Sequence, residues 1–157
     1  MEKLKGKIIL VDDARFEKQL LEAALEKQKC DVKVEYFNNI EGAIEHLKKN
    51  SDEIFLIISD IDMDTDLPNK NGIELKRVID KDKYLSLKSI PFVFMSNVIL
   101  KDRVMEAYKY HVQGYFLKPD TLDAHAKLLG TIIQYWQICI HPNKNVGPLI
   151  CQIPHLS

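Results

Sequence analysis

The stretch Ile54-Phe55-Leu56-Ile57-Ile58-Ser59-Asp60 decides the fold. A short, unbroken apolar run is the signature of a strand buried on both faces, and this one stops on a carboxylate. Three other runs stop on polar groups. Ile8-Ile9-Leu10-Val11 ends at Asp12-Asp13, Pro91 to Met95 ends at Ser96, and Tyr115-Phe116-Leu117 ends at Lys118-Pro119. Asp31 to Phe37 alternates Val32, Val34 and Tyr36, a strand with one side more exposed. Helical stripes lie between and after these runs. Arg15 to Lys29 carries Phe16, Leu20, Ala23 and Ala24; Asn39 to Asn50, capped by Asn38 or Asn39, carries Ile40, Ala43, Ile44 and Leu47. Helices also start at Asn71-Gly72, at Leu100 (with Leu100, Val104, Ala107 and Tyr108 inward) and at Thr121, the last running to Cys139. Five strand–helix units in strict alternation predict one α/β domain, a parallel sheet with helices on both faces.

Bulk composition narrows the function classes. The chain has 157 residues and a formal net charge of -1, which gives no electrostatic reason to expect nucleic acid as a partner. Its apolar runs are far shorter than the roughly 20 residues of a membrane span, and Met1 to Gly6 does not form a signal peptide. Cys30, Cys139 and Cys151 are widely spaced and odd in number, which suits a reducing cytoplasm and argues against a zinc site.

In an open parallel sheet the carboxyl ends of the strands share one edge, where ligands bind. Asp12, Asp13, Asp60, Ser96 and Lys118 are therefore expected in one pocket. Three carboxylates side by side repel one another, by about 4 kcal/mol per pair at 4 Å and an effective dielectric of 20. One Mg²⁺ and the Lys118 ammonium would balance them, and Mg²⁺ favours carboxylate and phosphate oxygens. Asp60 can then act as a nucleophile toward phosphorus, with Ser96 and Lys118 as donors to the transferring oxygens. Each residue alone has a plainer explanation as a turn, cap or strand stop. Their order along the chain is what points to chemistry.

With these residues the chain resembles the receiver domain of two-component response regulators, over roughly Lys7 to Cys139. The resemblance implies a flavodoxin-like (βα)5 three-layer sandwich with sheet order 2-1-3-4-5. It implies that Asp60 accepts a phosphoryl group from a histidine kinase or histidine phosphotransfer protein. It implies Mg²⁺ held directly by Asp13, Asp60 and the Asp62 carbonyl, with Asp12 acting largely through water. Ser96 and Lys118 would contact the phosphoryl group, Ser96 and Tyr115 would form the switch, and the Lys118–Pro119 bond would be cis. The chain would be no enzyme beyond its own phosphorylation and dephosphorylation at Asp60.

The departures from that pattern matter too. Asp64-Thr65-Asp66-Leu67 looks like a four-residue insertion, and it leaves Asp64 as a second candidate acceptor. Asp60 is preferred because a strand running on to Asp64 would place Asp60 and Asp62 on one face of a buried sheet. Asn97 and Val98 follow Ser96 with bulk and without a polar group to align water, which predicts a long-lived phosphorylated state. Residues 1–139 are read as the receiver and 140–157 as a tail without a separate output domain. That organisation predicts a stand-alone, cytoplasmic, bacterial protein whose downstream target is another protein, with homodimerisation left open. Trp136 packs either on the core or in an interface. Three rivals remain: a non-phosphorylated pseudo-receiver acting as an interaction module, a haloacid-dehalogenase-type phosphatase (Asp60-Ile61-Asp62), and a calcium loop (Asp60, Asp62, Asp64, Asp66).

Overall fold

A computed structural model describes residues 6–63 and 71–143. The five expected strands are β1 (Lys7–Val11), β2 (Lys33–Phe37), β3 (Ile54–Asp60), β4 (Phe92–Ser96) and β5 (Gly114–Leu117). They pair in parallel in the order β2-β1-β3-β4-β5. The helices are α1 (Phe16–Lys27), α2 (Ile40–Asn50), α3 (Gly72–Lys81), α4 (Lys83–Lys88), α5 (Lys101–Lys109) and α6 (Leu122–Ile138). The flavodoxin-like three-layer sandwich is thus present. Among the described residues no helix is long and apolar enough to cross a membrane.

Side chains alternate across the sheet with the strand period of two. Ile9, Val11, Ile57, Phe92 and Phe94 join a core under α2, α3, α4 and α5. Ile8, Leu10, Leu56, Ile58, Val93 and Met95 join the opposite core, under α1 and α6. Lys7 pairs with Ile54 but Ile8 with Leu56, so Phe55 is an extra residue in β3. This bulge leaves the Phe55 carbonyl 2.6 Å from His141 Nε2, and the Phe55 ring stacked on the imidazole. Residues just beyond α6 are thereby tied to the sheet, since Asn143 also donates to the Asp52 carbonyl at 2.7 Å. Trp136 is buried in the core rather than offered to a partner.

The helix from Gly72 ends at Lys81; Asp82 is extended, and its carboxylate accepts from the N–H groups of Tyr84 and Leu85, starting α4. Two expectations need correction. Leu100 and Tyr108 are exposed, and α5 buries only Ala107. In α1 the buried stripe is Glu17, Leu21, Ala24 and Leu25, while Phe16 is exposed. The apolar residues suggested a stripe one position out of phase, because a carboxylate occupies its first place.

The start of α3 determines how β3 meets the site. Asn71 caps it by accepting from the Glu74 N–H, and Gly72 lies flat against the strand end. A Cβ on Gly72 would fall 2.3 Å from the Asp60 carbonyl oxygen and 2.8 Å from Phe94 Cε1. The Gly72→Ala substitution is therefore expected to destabilise the domain by about 1–3 kcal/mol through overpacking, measured by urea unfolding; an unchanged midpoint would show that β3 and α3 separate freely.

Candidate functional site

The carboxyl ends of β1, β3, β4 and β5 bring together the residues expected there. One carboxylate oxygen each from Asp12, Asp13 and Asp60 lies within 4.8 Å of the other two. Asp12 and Asp60 are buried, whereas Asp13 is exposed. Lys118, also buried, extends its ammonium to Asp12 Oδ2 at 2.7 Å and to Asp60 Oδ2 at 3.5 Å. Asp12 is further fixed by the Ala14 N–H on Oδ1 and by the Tyr36 hydroxyl on its carbonyl. Asp60 Oδ1 accepts from the Asp62 N–H at 3.1 Å, a turn that holds the carboxylate at the strand end.

Ser96 is fully buried at the end of β4. Its hydroxyl donates to the Val98 carbonyl at 2.9 Å and accepts from the Val98 N–H, so the loop after β4 closes on it. Asp62 Oδ2 lies 3.3 Å from the same oxygen, and the Asp62 carboxylate pairs with Arg103 on α5. The Asp62 side chain therefore faces α5 and not the three-acid cluster. Tyr115 packs beside Phe94, its hydroxyl enclosed and without a hydrogen-bond partner among the described residues. Asp64 to Leu67, the inserted acids, lie outside the described residues. Within the described residues β3 terminates at Asp60, as the buried run predicts.

The Lys118–Pro119 bond is trans, and no described peptide bond is cis, contrary to expectation. The trans form is the intrinsically favoured one by about 0.5–1 kcal/mol. Lys118 is aimed without a cis bond: its N–H donates to the Ser96 carbonyl at 2.7 Å, and pairing with β4 directs the side chain inward.

Two site residues were missed in the sequence. Glu17 on α1 and His125 on α6 are both buried, Glu17 Oε1 being 3.5 Å from Lys118 Nζ and Glu17 Oε2 3.0 Å from His125 Nε2. Each heads the buried stripe of its helix: His125 is followed by Leu129, Ile132, Ile133 and Trp136. A polar residue in phase with an apolar stripe was the available signal.

Electrostatics set the protonation of this cluster. Burial pushes the Asp60 carboxyl up to about 7, against the pull of Lys118, with Asp12 and Asp13 adding to the rise. Burial raises Asp12 too, opposed by Lys118. Burial pulls the Lys118 ammonium down, but Asp12, Asp60 and Glu17 outweigh it and the net shift is upward. One ammonium does not satisfy the acids around it, so the cluster favours a further cation. Three oxygens within reach of one another suit a small, hard divalent ion.

A family model described as the response regulator receiver domain matches residues 8–129. Over 141 residues the chain is 24% identical to the probable methanogenesis regulatory protein FilR2 of Methanothrix harundinacea, covering 90% of this chain and 88% of that one. It is 27% identical over 113 residues to the two-component response regulator ARR10 of Arabidopsis thaliana, spanning 72% of this chain but only 18% of that protein. The crystal structure of the phosphorylated cyanobacterial phytochrome response regulator RcpA superposes with a TM-score of 0.72 at 27% identity, covering 84% of this chain and 94% of that one.

The raised Asp60 carboxyl has a measurable consequence. Its folded value, about 7, exceeds its ordinary value of 3.8, so the folded state loses stability as pH rises through that interval. In Mg²⁺-free buffer, Asp60→Asn is expected to match wild type near pH 4 and to exceed it by about 1–3 kcal/mol above pH 7. Urea unfolding across that range measures the difference; parallel curves for the two proteins would contradict it.

Proposed function

The chain belongs to the response regulator receiver family, and we propose that it accepts a phosphoryl group on Asp60 from a histidine kinase or histidine phosphotransfer protein and relays that state through protein contacts. The observation that carries this reading is the meeting of Asp12, Asp13 and Asp60 within 4.8 Å, with the Lys118 ammonium on two of them. Asp60 sits at the end of a strand buried along its whole length, so its carboxylate is held in place before a donor arrives.

Asp12, Asp13 and Asp60 would hold Mg²⁺; when bound, the ion supplies positive charge to the carboxylates and to the phosphoryl oxygens. In the reaction a carboxylate oxygen of Asp60 bonds to phosphorus as the bond from phosphorus to the donor breaks, and the leaving group departs with that electron pair. Lys118 pairs with one phosphoryl oxygen and Ser96 donates to another. The chain turns over no separate substrate; its own chemistry is the gain and loss of this group.

The added phosphoryl carries about −1.5 to −2 charge. Ser96 would exchange its bond to the Val98 carbonyl for a charge-assisted one to phosphate, drawing the loop after β4 inward. Tyr115, already turned toward the interior, would follow that loop. Ile99, Leu100, Met105, Tyr108 and Leu117 expose apolar surface on and beside α5 and β5, where a downstream protein or a second copy of the chain would dock. Asn97 and Val98, both exposed at the mouth of the site, would shield the acyl-phosphate without aligning a water. A cytoplasmic setting goes with this role, because the kinases that would supply the phosphoryl group act there.

Incubation with a small phosphodonor and Mg²⁺ is expected to add the mass of one phosphoryl group, lost on chelation and lost in Asp60→Asn. Decay over many minutes or longer is expected once the donor is removed. Label surviving in Asp60→Asn but lost in Asp64→Asn would move the acceptor to Asp64, and no label under any condition would leave an interaction module.

A further inference from the structure

Asp62 touches three parts of the molecule that phosphorylation has to rearrange. Its N–H donates to Asp60 Oδ1 at 3.1 Å, on the acceptor itself. Its Oδ2 lies 3.3 Å from the Ser96 hydroxyl. Its Oδ1 pairs with the guanidinium of Arg103, in the first turn of α5. At rest, then, Ser96 and Arg103 flank one oxyanion, the Asp62 carboxylate. The Asp62 and Arg103 side chains keep 44% and 32% of their surface exposed, and an ion pair so open to water contributes little to stability. It is nevertheless the polar tie between α5 and the site. That helix buries only Ala107, and Leu100 supplies no side-chain cap. Among the described residues no other ion pair or side-chain hydrogen bond joins α5 to another element.

We propose that Arg103 is a ligand of the phosphoryl group on Asp60, and that the Asp62 carboxylate holds its place beside Ser96 and Arg103 until that group arrives. This rests on the acceptor role of Asp60. The phosphoryl oxygen to which Ser96 donates would replace Asp62 Oδ2 beside the same hydroxyl. Arg103 stands across that carboxylate from Ser96, so an oxyanion bonded to Ser96 comes within reach of the guanidinium. The phosphoryl group carries about −1.5 to −2 charge against the single charge of Asp62, so the exchange favours the phosphoryl group. The planar fork of a guanidinium also matches two phosphoryl oxygens at once. Lys118 does not supply this charge alone, because it is shared among Asp12, Glu17 and Asp60. Water takes over the half-exposed Asp62 carboxylate as Arg103 leaves it, and no covalent bond is made or broken. Arg103 draws the first turn of α5 inward, so the exposed Met105 and Tyr108 move with the state of Asp60. Asp62 is thus a competitor of the phosphoryl group, and Arg103 a contributor to its binding.

The test titrates beryllofluoride with Mg²⁺, as the phosphoryl mimic, into the full chain. Arg103→Gln is expected to weaken mimic binding by about tenfold or more, the loss of a charge-assisted pair. Asp62→Asn should tighten it, because the competing oxyanion is gone while Arg103 remains. Arg103→Lys should recover only part of the loss, since an ammonium keeps the charge but not the fork. The Arg103 Nε–H signal, assigned by its absence in Arg103→Gln, should move on mimic binding in wild type and in Asp62→Asn alike. Weakening by both Asp62→Asn and Arg103→Gln would make the pair a structural brace and overturn the proposal. So would full recovery in Arg103→Lys, which would reduce Arg103 to a distant field, or an Arg103 signal indifferent to the mimic. A wild type that neither binds the mimic nor takes label from a phosphodonor would instead defeat the acceptor role itself.

Discussion

One ammonium among several buried carboxylates is the constraint on which the site depends. Lys118 is within 3.5 Å of Asp12, Glu17 and Asp60, carried on three different strands and helices. Removing a charge from water costs several kcal/mol unless it is paired and hydrogen-bonded, so these groups hold one another in place. The pairing is incomplete, because the acids outnumber the cation. A carboxylate that ends a strand in such a setting favours a further cation, and its protonation follows whichever cation is nearest.

The fold supplies this geometry through two kinds of contact. Parallel pairing in the order β2-β1-β3-β4-β5 brings four strand ends to one edge. Packing of α1 on α6 across one face of the sheet brings Glu17 and His125 together beneath that edge. The opposite edge is closed differently, with His141 and Asn143 bonded to Phe55 and Asp52. The bulge that leaves Phe55 as the extra residue in β3 makes its carbonyl available for that contact. The two ends of the sheet are thus held by separate sets of residues.

Much of this was legible in the chain. The runs ending at Val11, Asp60 and Met95 located strands because a fully buried strand needs apolar side chains on both faces, and the run ending at Leu117 located β5, which is only partly buried. Asn39 and Thr121 were readable as caps, since each side chain accepts from an N–H in the first turn of its helix. Phase was harder. In α1 the hydrophobic reading chose Phe16 and Leu20, but burial follows Glu17, Leu21 and Leu25. A carboxylate at a buried helical position is too costly to expect without knowing that Lys118, remote in sequence, waits beside it.

What the amino-acid order determined by itself was the alternation of strands and helices, and the identity of the residues left at the strand ends. Both follow from local periodicity and from the rule that parallel strands present their carboxyl ends together. Only the tertiary structure decided which charges share one cation, that the Lys118–Pro119 bond is trans, and that Glu17 meets His125. Those outcomes turn on distances of a few ångströms between segments far apart in the chain, where burial and pairing, not local propensity, set the energy.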